Sequence, residues 1–162
     1  MIIVNREKYP DAISATNISQ GRYPVLYTHA HTVSESTIEL LKTMDLDQVY
    51  VLGGTLSVNE SVVSELTNKI GVKVTRLAGR SRYDANSSAI AANYKKKDHV
   101  VIASGEVFAD ALYGVSYANT INAPVVLTKT NNLEDSTVKL LKDLGVKTAT
   151  IIGGELTVTK AV

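Results

Sequence analysis

The chain has 162 residues, 44% apolar and 20% charged, with 17 basic side chains against 16 acidic. That balance belongs to a globular protein with a sizeable core, and a net charge of +1 lacks the basic excess of a nucleic-acid-binding domain. Having no cysteine excludes disulfides, zinc–thiolate sites and cysteine nucleophiles, and no apolar run approaches the ~18 residues of a membrane span.

The start, Met1-Ile2-Ile3-Val4-Asn5-Arg6, lacks the basic head and the ~7–15 apolar residues of a signal peptide, so a secreted parent would carry its signal upstream. Short β-branched runs predict strands at Ile2–Val4, Val25–Thr28, Val49–Leu52, Val74–Leu77, Val100–Ala103, Val125–Leu127 and Ala149–Ile152. Asp11-Ala12 opens the first helix. Thr37–Met44 and Ser61–Ile70 carry apolar residues at helical spacing. Ser57 is the expected N-cap of the latter, with Glu60 completing a capping box and Gly71 closing the helix. Further helices are expected at Ala85–Tyr94, Ala109–Thr120 and Ser136–Leu144. Strands alternating with helices predict an α/β fold with a parallel sheet covered on both faces, its site on the loops that follow the strands.

The sequence repeats at an offset of 100. Pro24-Val25-Leu26-Tyr27-Thr28 matches Pro124-Val125-Val126-Leu127-Thr128, and Leu40-Leu41-Lys42 matches Leu140-Leu141-Lys142. Gly53-Gly54-Thr55-Leu56 matches Gly153-Gly154-Glu155-Leu156. One gap extends the register backwards, setting Glu7 against Glu106 and Asp11-Ala12 against Asp110-Ala111. Two copies of one unit of roughly 100 residues are therefore expected, with residues 1–73 the latter part of one and 74–162 most of a second. Both copies read as truncated, one at each end.

Chemistry is sparse. Gly53-Gly54 and Gly153-Gly154 lie between strand and helix, where backbone N–H groups can cradle a phosphate, but no dinucleotide or P-loop fingerprint surrounds them and a tight turn accounts for them equally. Ser104-Gly105 sits at a strand end without a nucleophile elbow, and Asn5-Arg6 replaces it in the sister copy. His29 and His31 lack a third ligand, their counterparts being Lys129 and Asn131; His99 reads as a strand-boundary residue. Asp11 and Asp110 recur at helix starts, where a carboxylate complements the helix dipole or meets a ligand. Glu7 and Glu106 recur four residues earlier without a base or nucleophile for acid–base work. The segment Arg76-Leu77-Ala78-Gly79-Arg80-Ser81-Arg82-Tyr83-Asp84 is the most suggestive: guanidinium groups recognise carboxylate or phosphate and a tyrosine ring stacks on sugar, while a solvated turn is the bland alternative.

In order and at natural spacing, that segment, Ala103-Ser104-Gly105, Phe108-Ala109-Asp110-Ala111-Leu112, Pro124-Val125-Val126-Leu127-Thr128 and Ile151-Ile152-Gly153-Gly154 resemble the type 2 cell wall binding repeat of clostridial and bacillar surface proteins. The resemblance implies Rossmann-like three-layer units, usually three in tandem, packed as a pseudo-threefold ring. It implies a secreted, non-catalytic module of the Gram-positive cell surface, S-layer proteins among its carriers, that anchors its parent non-covalently to an anionic secondary wall polysaccharide. It implies no cofactor and no metal. The ligand-contact residues expected are Arg76, Arg82, Tyr83, Ser104, Gly105, Asp110, Gly153 and Gly154, with Val125, Val126 and Leu127 standing at the family's anchoring Ile-Leu-Leu motif and shaping a groove. In the first copy that motif reads Val25-Leu26-Tyr27. Asn5-Arg6 there replaces Ser-Gly, and Pro10 replaces Ala109. An α/β hydrolase or nucleotide-binding enzyme and a purely structural S-layer packing unit are the competing readings.

Overall fold

The computed structural model describes all 162 residues. In chain order it contains β1 (Ile2–Asn5), α1 (Tyr9–Ser19), β2 (Val25–Thr28), α2 (Glu35–Lys42), β3 (Gln48–Leu52), α3 (Glu60–Ile70), β4 (Lys73–Leu77), α4 (Arg82–Asn93), β5 (His99–Ser104), α5 (Phe108–Thr120), β6 (Val125–Thr128), α6 (Asp135–Leu144) and β7 (Thr148–Ile152). The strands form two sheets, ordered β2-β1-β3-β4 and β6-β5-β7. Every pairing is parallel. The fold class is therefore as the sequence predicts, and all seven strands lie where the β-branched runs stand.

Three helices differ from expectation for local reasons. Helix α2 runs Glu35–Lys42 rather than Thr37–Met44, because the Ser34 hydroxyl accepts from the Thr37 N–H and starts it early. Asn59, not Ser57, caps α3, its side chain accepting from the Ser61 N–H; Ser57 is drawn away to Asp11. Helix α4 starts at Arg82 rather than Ala85, because the Ser81 side chain accepts from the Asp84 N–H and starts it early. The expected close of α3 holds, with Gly71 left-handed at φ 75°.

Each sheet has helices on both faces. Ile3, Val49 and Val51 of the first sheet pack with Ile38 and Leu41 of α2 and Val62 and Leu66 of α3. On its other face Ile2, Val4 and Leu52 meet Ala15 and Ile18 of α1 and Ala89 of α4. In the second sheet Val101, Ala103, Val125 and Leu127 pack with Ala111 and Ala118 of α5 and with Ile13 from α1. Its reverse face, Val100, Ile102 and Val126, meets Ile90 of α4 and Leu140 and Leu144 of α6. Helices α1 and α4 thus form the seam, each placing a side chain in the other sheet's core.

The seam also seals a sheet edge. Asn17 of α1 grips Val125 from both sides, donating to its carbonyl at 3.0 Å and accepting from its N–H at 2.8 Å. Asn86 of α4 donates to the same carbonyl at 3.1 Å and accepts from the Leu127 N–H at 3.0 Å. These carboxamides satisfy backbone groups that an uncovered edge strand leaves open. In the first sheet β2 has no such cover. Tyr27 is 58% exposed where Leu127 is 0%, and Leu40 is 48% exposed where Leu140 is 6%.

Candidate functional site

In a parallel sheet the crevice for a ligand opens at the carboxyl ends of the strands, where the chain leaves a central strand in opposite directions. In the first copy that place lies between the turns after β1 and β3; in the second, between those after β5 and β7. Both crevices are closed by the same device. Gly53 and Gly153 take φ values of 102° and 128°, open to glycine. A Cβ on either would lie 2.6 Å from the carboxylate oxygen Oδ2 of Asp11 or Asp110. Each aspartate therefore presses directly on its own Gly-Gly turn. Asp11 Oδ2 also accepts from the Ser57 hydroxyl at 2.6 Å, and Asn5 Nδ2 donates to the Ser57 carbonyl at 2.5 Å. Burial pushes the Asp11 carboxyl up, against the opposing Ser57 hydrogen bond and the Arg82 and Lys8 charges. In the second copy Asp110 Oδ2 is buried without a hydrogen-bond partner, and the Thr157 hydroxyl turns to the Gly154 carbonyl at 3.1 Å.

The exchange of Ser104 for Asn5 preserves one contact. Ser104 Oγ accepts from the Glu106 N–H at 3.1 Å, and Asn5 Oδ1 accepts from the Glu7 N–H at 2.8 Å. Ser104 is wholly buried. Pro10 falls in the first turn of α1, where its missing N–H leaves no intrahelical bond unmade.

The richest cluster lies where the seam reaches this end of the molecule. The Gly105 carbonyl accepts from Arg82 Nη1 at 2.6 Å and from the Tyr9 hydroxyl at 2.9 Å. Tyr9 also meets Phe108 edge-on, with ring centroids 5.3 Å apart. A Cβ on Gly105 would stand 2.6 Å from Cε1 of Tyr83, so glycine is what allows the ring to lie against the backbone. The Tyr83 hydroxyl donates to Glu106 Oε1 at 3.4 Å, and its pKa is pushed up to about 12, chiefly by burial and then by the Glu106 charge. Lys129 Nζ stands 5.9 Å from the Tyr83 ring centroid and pairs with Glu134. Thr130 donates to Glu106 Oε2 at 3.1 Å.

The structure brings Arg82, Tyr83, Ser104 and Gly105 together, with Arg82 exposed and the other three buried. Asp110, Gly153 and Gly154 form a separate turn in the same copy. Arg76 is elsewhere: on β4 it donates to the Gly53 carbonyl at 2.8 Å and pairs with Glu60 at 2.9 Å, fastening the first copy's turn. Val125, Val126 and Leu127 are buried at 2%, 0% and 0%, so their side chains have almost no surface to offer a ligand and any influence on a groove is indirect. His29 and His31 lie exposed in the loop after β2, and His99 meets Thr148 and Thr150 across the β5–β7 pair. Sequence reasoning passed over Tyr9, Asn17 and Asn86. Tyr9 stands opposite the motif's Phe108 in the repeat register, a signal that was present; Asn17 faces Ser116 there and gives none.

Comparison with known proteins accords with this geometry. N-acetylmuramoyl-L-alanine amidase LytC of Bacillus subtilis is 30% identical over 162 residues, 99% of this chain and 32% of that protein. The Amidase enhancer of the same organism is 30% identical over 136 residues, 83% of the chain and 19% of that protein. Among solved structures, Cwp6 from Clostridium difficile superposes with a TM-score of 0.91 at 27% identity, and Cwp8 with 0.83 at 27%. The match covers 99% of this chain in both, but 26% of the Cwp6 chain and 27% of the Cwp8 chain. The chain thus spans about a third or less of each of these relatives. The family model described as Cell wall binding domain 2 (CWB2) matches residues 2–63 and 76–162, one stretch for each copy, and the chain belongs to that family.

Proposed function

We propose that this chain is a non-catalytic module that holds a secreted surface protein to the cell wall by binding an anionic secondary wall polysaccharide. The observation that carries the reading is the family match over both copies. The polar groups at the strand ends agree with it. Ser104 is buried and bonded to backbone, and Asp11 is bonded to Ser57, so these two side chains are committed to their turns. Exposed Arg82 at the seam supplies the guanidinium for an anionic sugar, with the Tyr9–Phe108 pair as an apolar neighbour for the ring.

A further repeat of the same kind completes the module as a pseudo-trimer. Two uncovered faces support this. In α1, Ile13 and Ile18 are buried in the seam at 4% and 6%; their counterparts on α5, Leu112 and Tyr117, are 47% and 41% exposed, flanked by Phe108 and Tyr113. At the other end β2 lacks the cover that β6 receives.

Co-sedimentation with purified walls tests the reading. The chain should pellet with polymer-bearing walls, fail to pellet with walls stripped of their secondary polymer, and release as salt rises. Arg82→Ala should weaken pelleting with little effect on folding. Equal pelleting with stripped walls would overturn the polysaccharide reading.

A further inference from the structure

The seam ends at a cavity at the amino-terminal pole of the strands, away from the site above. It encloses about 370 Å³ and is lined by Gln20 and Arg22 from the first copy and Tyr94, Asn119 and Asn122 from the second. Gln20 and Asn122 are the two non-glycine residues with positive φ, at 46° and 50°. For glutamine that conformation costs about 1–2 kcal/mol, and backbone strain of this kind gathers at functional sites. The Gln20 carboxamide oxygen accepts from the Arg22 guanidinium. Lys97 reaches two of the lining residues, donating to the Asn122 carbonyl at 2.7 Å, with its ammonium 5.3 Å from the centroid of the Tyr94 ring.

Charge decides what such a cavity holds. Helices α1, α4 and α5 end here, with C-caps at Gln20, Tyr94 and Ile121. Each contributes about half a negative charge, roughly −1.5 in all. Arg22 and Lys97 bring two positive charges, and neither has a carboxylate ion-pair partner; nearby Asp98 is taken by Lys147 and Asp143 by Lys139. The cations exceed what the helix ends neutralise. A polar wall of carboxamides and a tyrosine suits sugar hydroxyls, and the surplus charge suits an acid group.

We infer that this junction cavity binds an acidic sugar residue, one bearing a carboxylate or a phosphate ester, as a contact separate from the strand carboxyl-end site. It rests on the wall-polysaccharide reading only for the natural source of that sugar. Titrating the labelled chain with sodium glucuronate, glucose 1-phosphate and neutral glucose, followed by NMR, tests it directly. One or both acidic sugars should shift the Gln20, Arg22, Asn119 and Asn122 signals, and the effective one distinguishes carboxylate from phosphate ester. The double variant Arg22→Ala with Lys97→Gln should weaken that binding about tenfold or more, since charge-assisted hydrogen bonds are lost. If that variant unfolds, Asn119→Asp, which sets a carboxylate on the cavity wall, should weaken the acidic sugars in the same assay. Equal response to glucose, shifts confined to the Glu106–Thr130 end, or no shift would each overturn the inference, leaving the cations to serve only the helix ends. Positive titration with failed wall pelleting would remove the polysaccharide reading and keep the cavity; the reverse would keep the reading and remove the cavity.

Discussion

Replacing Asn17 by Ala measures how strongly the two copies are held together. Its side chain makes two hydrogen bonds, at 3.0 Å and 2.8 Å, to one buried residue of the other copy. After truncation the Val125 carbonyl keeps its bond from Asn86, but the Val125 N–H loses the partner it has at the sheet edge. A hydrogen bond contributes about 0.5–1.5 kcal/mol net, and leaving a buried donor unsatisfied costs about 1–3 kcal/mol. Together these predict a loss of about 2–4 kcal/mol. For a chain of this size that lowers Tm by roughly 5–12 °C. Urea unfolding followed by circular dichroism gives the free energy, and hydrogen exchange gives its location, since the Val125 amide alone should lose most of its protection. Asn17→Asp separates the two bonds, keeping the acceptor for that N–H while removing the donor. A loss below about 0.5 kcal/mol with Val125 still protected would refute the claim that this carboxamide seals the edge.

Gly105→Ala drives a methyl group to within 2.6 Å of the Tyr83 ring and should destabilise the second copy by about 1–3 kcal/mol, read as a lower thermal midpoint with altered near-ultraviolet dichroism. Asp84 is held below the ordinary carboxylate range, first by its bond from Ser136 and then by Ser81, so it stabilises the fold above the unfolded pKa and ceases to as pH falls through the folded one. Asp84→Asn should therefore lower stability by about 0.3–1 kcal/mol at neutral pH, the difference from the parent vanishing as the solution is taken well below pH 3.8. Asp11, raised by burial, has the opposite sign: its protonation favours the fold, so the parent should lose stability relative to Asp11→Asn as pH climbs past 3.8. Leu112→Glu together with Tyr117→Glu should abolish any concentration-dependent association seen by analytical ultracentrifugation, without lowering the monomer's thermal midpoint, because both residues lie on the uncovered face of α5.

Strands were legible because a parallel sheet buried on both faces concentrates Val and Ile into unbroken runs such as Val100–Ala103. The repeat register was legible because the Gly-Gly turns and their aspartates fix the backbone in both copies alike. Cap identity was not: Ser57 and Asn59 are both good caps, and only the tertiary partner Asp11 decides between them. Arg76 illustrates the same limit at the site. A guanidinium beside a glycine turn reads as a ligand group until the sheet order sets it against the Gly53 carbonyl, 23 positions away in sequence. The sequence marked Arg82, Tyr83 and Gly105 as expected contacts from separate motifs, but their meeting, and the Tyr9 contact joining them across the seam, depends on how two copies pack.

Strand β4 straddles the start of the second matched stretch, with only Arg76 and Leu77 inside it, yet the whole strand is hydrogen-bonded to β3 in the sheet of the first copy. The architectural unit therefore closes after β4, past the point where the second stretch opens. A block cut at Arg76 would leave the rim of its sheet unfinished, whereas one cut after Leu77 would carry all four strands β2-β1-β3-β4. Breakpoints should accordingly be tolerated best in the short link between Leu77 and Arg82.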